Sequence, residues 1–327
     1  MYNGAGGSDF TAMSLRLGAA IVLFVGVMAL VSVVYVPYNP NQVNFLNRLA
    51  PPSAAHPLGT DHFGRDILSR VMVGAQNALW VGMVAVGIGL GTGLALGMVA
   101  GYAGGWWDRA VMAVMDALYA FPALLLALLL ATAWGPGATS SMVAVGISAV
   151  PAFARVTRAS VMAVKPQAYV EAARAIGAPP GHLLRRHVLP NILGPLAIQS
   201  SFAFGVAVLA EAALSYLGLG TQPPDPSWGR MLREAQGFLV LSPYPALFPG
   251  LAIALSVLGF NLLGDGLRDR MDVSGARRGR RDWPGLFARP GATADITTVS
   301  EAVGGSIRSR DRVRRVVSAG PKAGERA

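Results

Sequence analysis

No cysteine occurs among the 327 residues, and the four histidines (His56, His62, His182 and His187) are scattered. None shows the i, i+4 spacing of a helical metal pair, so thiol nucleophiles and Cys- or His-based metal sites are set aside. Lysine occurs only at Lys165 and Lys322, and neither ends a glycine-rich turn of the kind that cradles phosphates. On this reading the chain binds no cofactor and is not an enzyme. Its polar chemistry sits in three places. The first is Glu171-Ala172-Ala173-Arg174-Ala175-Ile176-Gly177, followed by His187-Val188-Leu189-Pro190. Gln167–Ile176 is a run of good helix formers, which Gly177 can end in the left-handed conformation. Pro179 and Pro180 prevent continuation, Gly181–Val188 forms a second short helix, and Pro190 starts the return to the next element. Two short helices with basic and apolar faces suit entry into a groove on another protein. The second place is Asp116, Glu211 and Asn261, polar residues inside apolar runs, which are candidates for a translocation path or for hydrogen bonds to neighbouring helices. The third is His56–Asp66, punctuated by Gly59 and Gly64, where Asp61, Arg65 and Asp66 either pair locally or meet a soluble partner.

The elements that hold these residues are membrane spans. Hydrophobic residues make up 53% of the chain and charged residues 13%, with a mean hydropathy of +0.47. Soluble domains carry about 25% charged residues. Leu17–Val36 has about the 20 residues a crossing needs and lacks a small-residue cleavage site, so it reads as a retained anchor. Further apolar runs cover Leu79–Gly101, Ala110–Trp134, Met142–Ala154, Leu196–Leu219 and Pro245–Leu263, the fourth being the shortest. The expected fold is an all-α polytopic membrane protein with about six transmembrane helices. The net charge of +10 comes largely from loops and the C-terminal tail, which reads as cytoplasmic retention and not as nucleic-acid binding. The segment after the fourth run (Arg155, Arg158, Lys165, Arg174, Arg185, Arg186) and the tail are therefore both cytoplasmic, and parity puts the N-terminus inside too. Expected boundaries are a cytoplasmic N-terminus at 1–16, an anchor at 17–36 and an external segment at 37–78. A five-helix core follows at 79–268, with the docking loop at 164–191, and then a basic tail at 269–327. Gly266–Ala327 has the composition of a disordered tail. Gly89, Gly93, Gly97 and Gly101 form a smooth helix face suited to close packing or, alternatively, to sliding during transport.

The Glu171–Pro190 pattern resembles the EAA loop of permeases from binding-protein-dependent ABC importers. The string Arg186–Asn191, which includes His187, resembles the dipeptide/oligopeptide (and nickel) branch. His56–Asp66, Ala213–Gly229 and Phe260–Asp269 are similar to the C-type permease subunit of that branch, and the likeness covers about residues 15–272. Gln76 stands where the branch commonly has arginine, Pro151 where it has an aromatic, and the tail after Asp272 is unusually long. The resemblance implies a multi-pass inner-membrane permease forming half of a pathway with a second homologous permease. Two ABC ATPase subunits would bind ATP and dock on Glu171, Ala172, Ala173, Gly177, His187, Leu189 and Pro190. A soluble extracytoplasmic solute-binding protein would deliver di- or oligopeptides, or alternatively nickel or another small solute. An ion-coupled secondary transporter is less favoured, because the sequence shows neither broken helices nor midplane ion ligands. An intramembrane enzyme is set low, since no catalytic pairing appears in the spans.

Overall fold

Hydrocarbon offers no water to backbone amides, so each apolar run must close its hydrogen bonds within a helix. The structure, a computed structural model, describes the backbone of residues 5–281 and the side chains of 13–271. The described part of the chain is helical throughout its apolar runs. Five helices are long and apolar enough to cross a membrane, and a sixth crossing is a bent pair. Helix α1 covers Ala5–Val34 and carries the expected anchor, ending at Val34. Helix α2 covers Ile67–Ala103 and starts at Ile67, not at Leu79. Asp66 caps its N-terminus by accepting from the Ser69 amide at 2.8 Å. The polar turns that precede Leu79 are thus helix, and the first external segment ends at Asp66.

The third run is two helices. Helix α3 (Gly105–Ala120) and helix α4 (Ala123–Trp134) meet at an angle of 84°. Pro122 lacks an amide proton and biases Phe121 toward the extended conformation it adopts (φ −81°, ψ 119°), which opens the helix. The expectation that no span is broken is therefore corrected. The residues at the break are Ala120, Phe121 and Pro122, so it carries no ionisable side chain of its own. Helix α5 covers Ala138–Val164 and is much longer than the expected Met142–Ala154. Arg155 and Arg158 lie on it and not in a loop, because Asp116 and Asp108 of α3 neutralise them. The ion partners advance eight residues along α3 but three along α5, so α3 runs steeply across α5.

Short helix α6 (Ala168–Ala175) and helix α7 (Pro180–Leu183) follow, and a wide π turn at Leu184–Val188 leads into α8 (Leu189–Leu217). Helix α9 (Trp228–Ala235) is short, and α10 covers Tyr244–Arg281. Residues 266–281, expected to begin a disordered tail, continue α10, while the remainder of the tail lies outside the described residues. Residues Met1–Gly275 form one compact unit, and the second unit, Ala276–Ala327, contributes only the last turns of α10 to the described residues.

Both ends of the bundle are tied. At one end Lys165 Nζ donates to the Tyr102 carbonyl at 2.8 Å, joining the ends of α5 and α2. At the other the Gly137 amide donates to the Leu219 carbonyl at 3.2 Å, joining the start of α5 to the end of α8. The bent pair starts at the first end and finishes at the second, so it is one crossing. The core seam is α2 on α5. A Cβ at Gly93 would lie 2.9 Å from the Ala154 amide nitrogen, one at Gly97 2.5 Å from the Ala154 carbonyl, and one at Gly101 2.9 Å from the Arg158 carbonyl. Only glycine permits this backbone-to-backbone approach.

Candidate docking loop and translocation cavity

The docking loop is built from α6, α7 and the π turn. Val170 and Ala173 of α6 turn inward, as do Leu183 and Val188. The opposite side of α6 presents Tyr169, Ala172 and Ile176, and Ile176 is 87% exposed. Ile176 is the C-cap of α6, and the buried residues of that helix, Val170 and Ala173, lie on its other side. Gly177 has φ +84°, and the Ala178 amide donates to Ala173 O at 3.1 Å, which closes α6 as its sequence indicated. Glu171 is exposed and lines a hollow of about 360 Å³ with Lys165, Arg174 and Asp108. His187 is half-buried, its ring 6.4 Å from Tyr169 and 5.9 Å from His182. Leu189 is half-buried and Pro190 exposed.

Pro190 stands in the first turn of α8, where the return to the next element was expected to start. The turn ahead of it widens, so that the Leu189 amide bonds Leu184 O, and Asn191 Nδ2 donates to His187 O at 2.6 Å. The wider turn accommodates a proline that can donate nothing to the residue four back. As a result the platform runs into α8 without a flexible joint.

Deeper in the bundle, a cavity of about 280 Å³ lies among α2, α5, α8 and the α3–α4 break. Its wall is mostly alanine and valine, and Tyr119, Ser148 and Gln199 are its polar members. None carries a charge. The three polar residues expected to share a path are not brought together. Asp116 is 68% exposed and bonded by Arg155 Nη2 at 2.8 Å, with the same guanidinium 4.5 Å over the Tyr119 ring. It touches the cavity only through that stack. Glu211 is buried near the far end of α8 and accepts from Ser215 Oγ at 2.6 Å and Thr221 Oγ1 at 3.3 Å. Asn77 Nδ2 donates to Thr221 Oγ1 at 2.7 Å, so this cluster pins the loop after α8 to α2. Asn261 faces Gly205 in a groove on a different side of α8. Tyr119, Ser148 and Gln199 were missed because uncharged polar residues within an apolar run raise little alarm in a sequence.

Opposite the docking loop, His56–Asp66 folds into an ion-paired cap. Asp61 accepts from the Phe63 and Arg65 amides, at 2.8 and 3.0 Å, and from Arg65 Nε at 2.6 Å. Gly59 and Gly64 both take positive φ, 79° and 72°. Asp66 bonds His56 Nδ1 at 2.9 Å as well as capping α2. The local pairing anticipated for Asp61, Arg65 and Asp66 is present, but its centre is elsewhere. Glu234 of α9 accepts from Arg65 Nη2 at 2.5 Å, Arg70 Nη2 at 3.2 Å and Arg230 Nε at 2.9 Å. Burial pushes the Glu234 carboxyl up, but Arg70 and Arg65 outweigh it and hold the group below its ordinary range. Arg70 is fully buried in the first turn of α2. A charge buried there requires a partner, and Glu234 supplies it. Burial holds His62 below its ordinary value, and its ring stacks on Phe238 at 4.9 Å.

Six crossings, a packed platform with an exposed apolar edge, and an uncharged internal cavity define a multi-pass transport protein. The comparisons with known proteins agree. The pattern of the family described as "Binding-protein-dependent transport system inner membrane component" matches residues 93–273. The chain is 42% identical over 270 residues to the glutathione transport system permease protein GsiD of Pectobacterium atrosepticum, covering 81% of this chain and 90% of the relative. It is 45% identical over 255 residues to the protein of that description from Escherichia coli O157:H7, covering 78% and 84%. A solved structure of the MetNI methionine ABC transporter in an inward-facing conformation has 19% identity and a TM-score of 0.49, covering 65% of this chain and 95% of that one. The chain belongs to the family of binding-protein-dependent transport system inner-membrane components. It is a multi-pass inner-membrane permease subunit of an ABC importer.

Proposed function

We propose that this permease carries short peptides, of the chemical kind glutathione represents, through the cavity at the α3–α4 break. The Glu171–Pro190 platform receives its drive from two separate ATPase subunits, which bind the ATP. A second, homologous permease completes the pathway, and a soluble solute-binding protein delivers the peptide to the capped face. The observation that carries this reading is the exposed apolar edge formed by Tyr169 and Ala172 of α6 and its C-cap Ile176, opposite the inward-packed Val170 and Ala173. An apolar anchor seated in a groove is the usual energetic centre of a helix-docking interface. The relatives' printed description supports the solute class, and so do Tyr119, Ser148 and Gln199, whose neutral donors and acceptors match peptide amides without selecting one charge. ATP binding would draw the platforms together and shift the pathway between its two openings through contacts made in only one state.

Ile176→Glu tests the docking. The variant should insert normally, lose ATPase co-purification, and show ATP-driven uptake of labelled glutathione reduced at least about tenfold. Unimpaired uptake would overturn the docking assignment. Competition by unlabelled tripeptide but not by nickel would support the peptide reading, and the reverse pattern would replace it with the nickel alternative.

A further inference from the structure

An open groove of about 740 Å³ lies between α8 and α10, on a side of α8 turned away from the cavity. Its walls are apolar, including Leu209, Ala213 and Leu217 from α8 with Ile253, Val257 and Leu258 from α10. Leu209, Leu217 and Leu258 remain 54%, 54% and 48% exposed, so nothing among the described residues covers them. Along α10 the groove runs from Gly250 to Asn261, roughly 16 Å at 1.5 Å per residue. That is about half of the ~30 Å hydrocarbon core. The groove is therefore one leaflet deep.

Its mouth is polar. Arg233 of α9 lies over Gly218, close enough that a Cβ there would sit 2.2 Å from Arg233 Nη1. The side chain is exposed, and no carboxylate pairs with it among the described residues. The end of α8 favours a cation at this spot, yet leaves most of the guanidinium's donors open. Beside it the Tyr216 hydroxyl donates to Gln236 Oε1 at 3.0 Å. We infer that this groove binds a phospholipid, one acyl chain lying between α8 and α10 and the phosphate bonded to Arg233. Guanidinium matches phosphate in charge and in forked geometry, and tyrosine at the groove rim suits the headgroup level. A helix of a neighbouring protein fits less well. It would need an apolar strip through both leaflets and would bury Arg233 against hydrocarbon with no counter-charge.

The test uses the assembled transporter, delipidated and titrated with phosphatidylglycerol, with bound lipid read by native mass spectrometry. Arg233→Gln should weaken retention about tenfold, the value of one lost charge-assisted bond, and Ala254→Trp, which fills the groove, should abolish it. Unchanged retention in both variants would overturn the site. Because the chain lacks cysteine, Ala254→Cys can carry a single benzophenone photocrosslinker without further engineering. An adduct with the mass of phospholipid supports the proposal, and a crosslink to a protein chain overturns it in favour of a helix partner. The crosslink also gives an answer should the tryptophan variant fail to assemble.

Discussion

Glu234 shows how much one carboxylate can hold. It receives Arg65, Arg70 and Arg230 and so joins α9, the external segment and the first turn of α2. Removing it would leave Arg70, 1% exposed, with Asp61 3.7 Å away as its nearest acid. Glu234→Ala should therefore destabilise the capped end by about 3 kcal/mol, the scale for breaking a buried pair, read as a lower unfolding temperature of the purified protein. The pH dependence follows from the direction of the shift. A carboxyl held below its ordinary value of 4.5 stabilises the fold above that pH and loses the contribution as pH falls through the folded value. Protease resistance of residues 37–66 should be retained at neutral pH and decline below about 4.5 in the wild type. In Glu234→Ala it should already be low at neutral pH. Asp61 and Arg65 were legible as local partners because they lie four residues apart. Glu234 was not, since its distance along the chain hides a contact that only the folded bundle creates.

Helices show what apolar runs reveal and what they conceal. The spans were legible as hydrophobic stretches, but their ends were not, because charges paired between helices read as loop. Arg70 led the sequence reading to begin α2 late, and Arg155 and Arg158 led it to end α5 early. The α3–α4 break was invisible for the opposite reason, since Phe121-Pro122 sits within unbroken hydrophobicity. The glycine row was read correctly as a packing face, and two neighbours sharpen it. Gly87 and Gly91 meet nothing within 4 Å, whereas Gly97 would bring a Cβ within 2.5 Å of Ala154 O. Gly97→Val should cost about 1–3 kcal/mol through overpacking, while Gly91→Val should leave the unfolding temperature nearly unchanged. Equal effects of the two would show that helix propensity, and not close approach, makes those glycines matter.

At the scale of the whole molecule, the inner side of the proposed docking loop and the cavity occupy opposite ends of one continuous rod. From Leu183 through the π turn to Gln199 no residue departs from helical hydrogen bonding toward a loop, a distance of roughly 24 Å at 1.5 Å per residue. The two short helices of the platform were legible from Glu171, Gly177 and the prolines. Its rigid connection was not, because the widened turn at Leu184–Val188 that carries the helix into Pro190 leaves no mark in the sequence. The connection has an angular consequence as well as a linear one. Each helical residue turns the chain by about 100°, so the azimuth of Gln199 is locked to that of Leu183, at the inner side of the platform, by the number of residues between them. A single alanine inserted after Val188 would turn the cavity-facing side of α8 through more than a quarter of a revolution while leaving both sites chemically intact. Such an insertion should preserve ATPase association and abolish uptake, whereas a seven-residue insertion, close to two full turns, should restore the phase and part of the transport. On the proposed reading, residue count then acts as a gear setting between the site of drive and the site of passage.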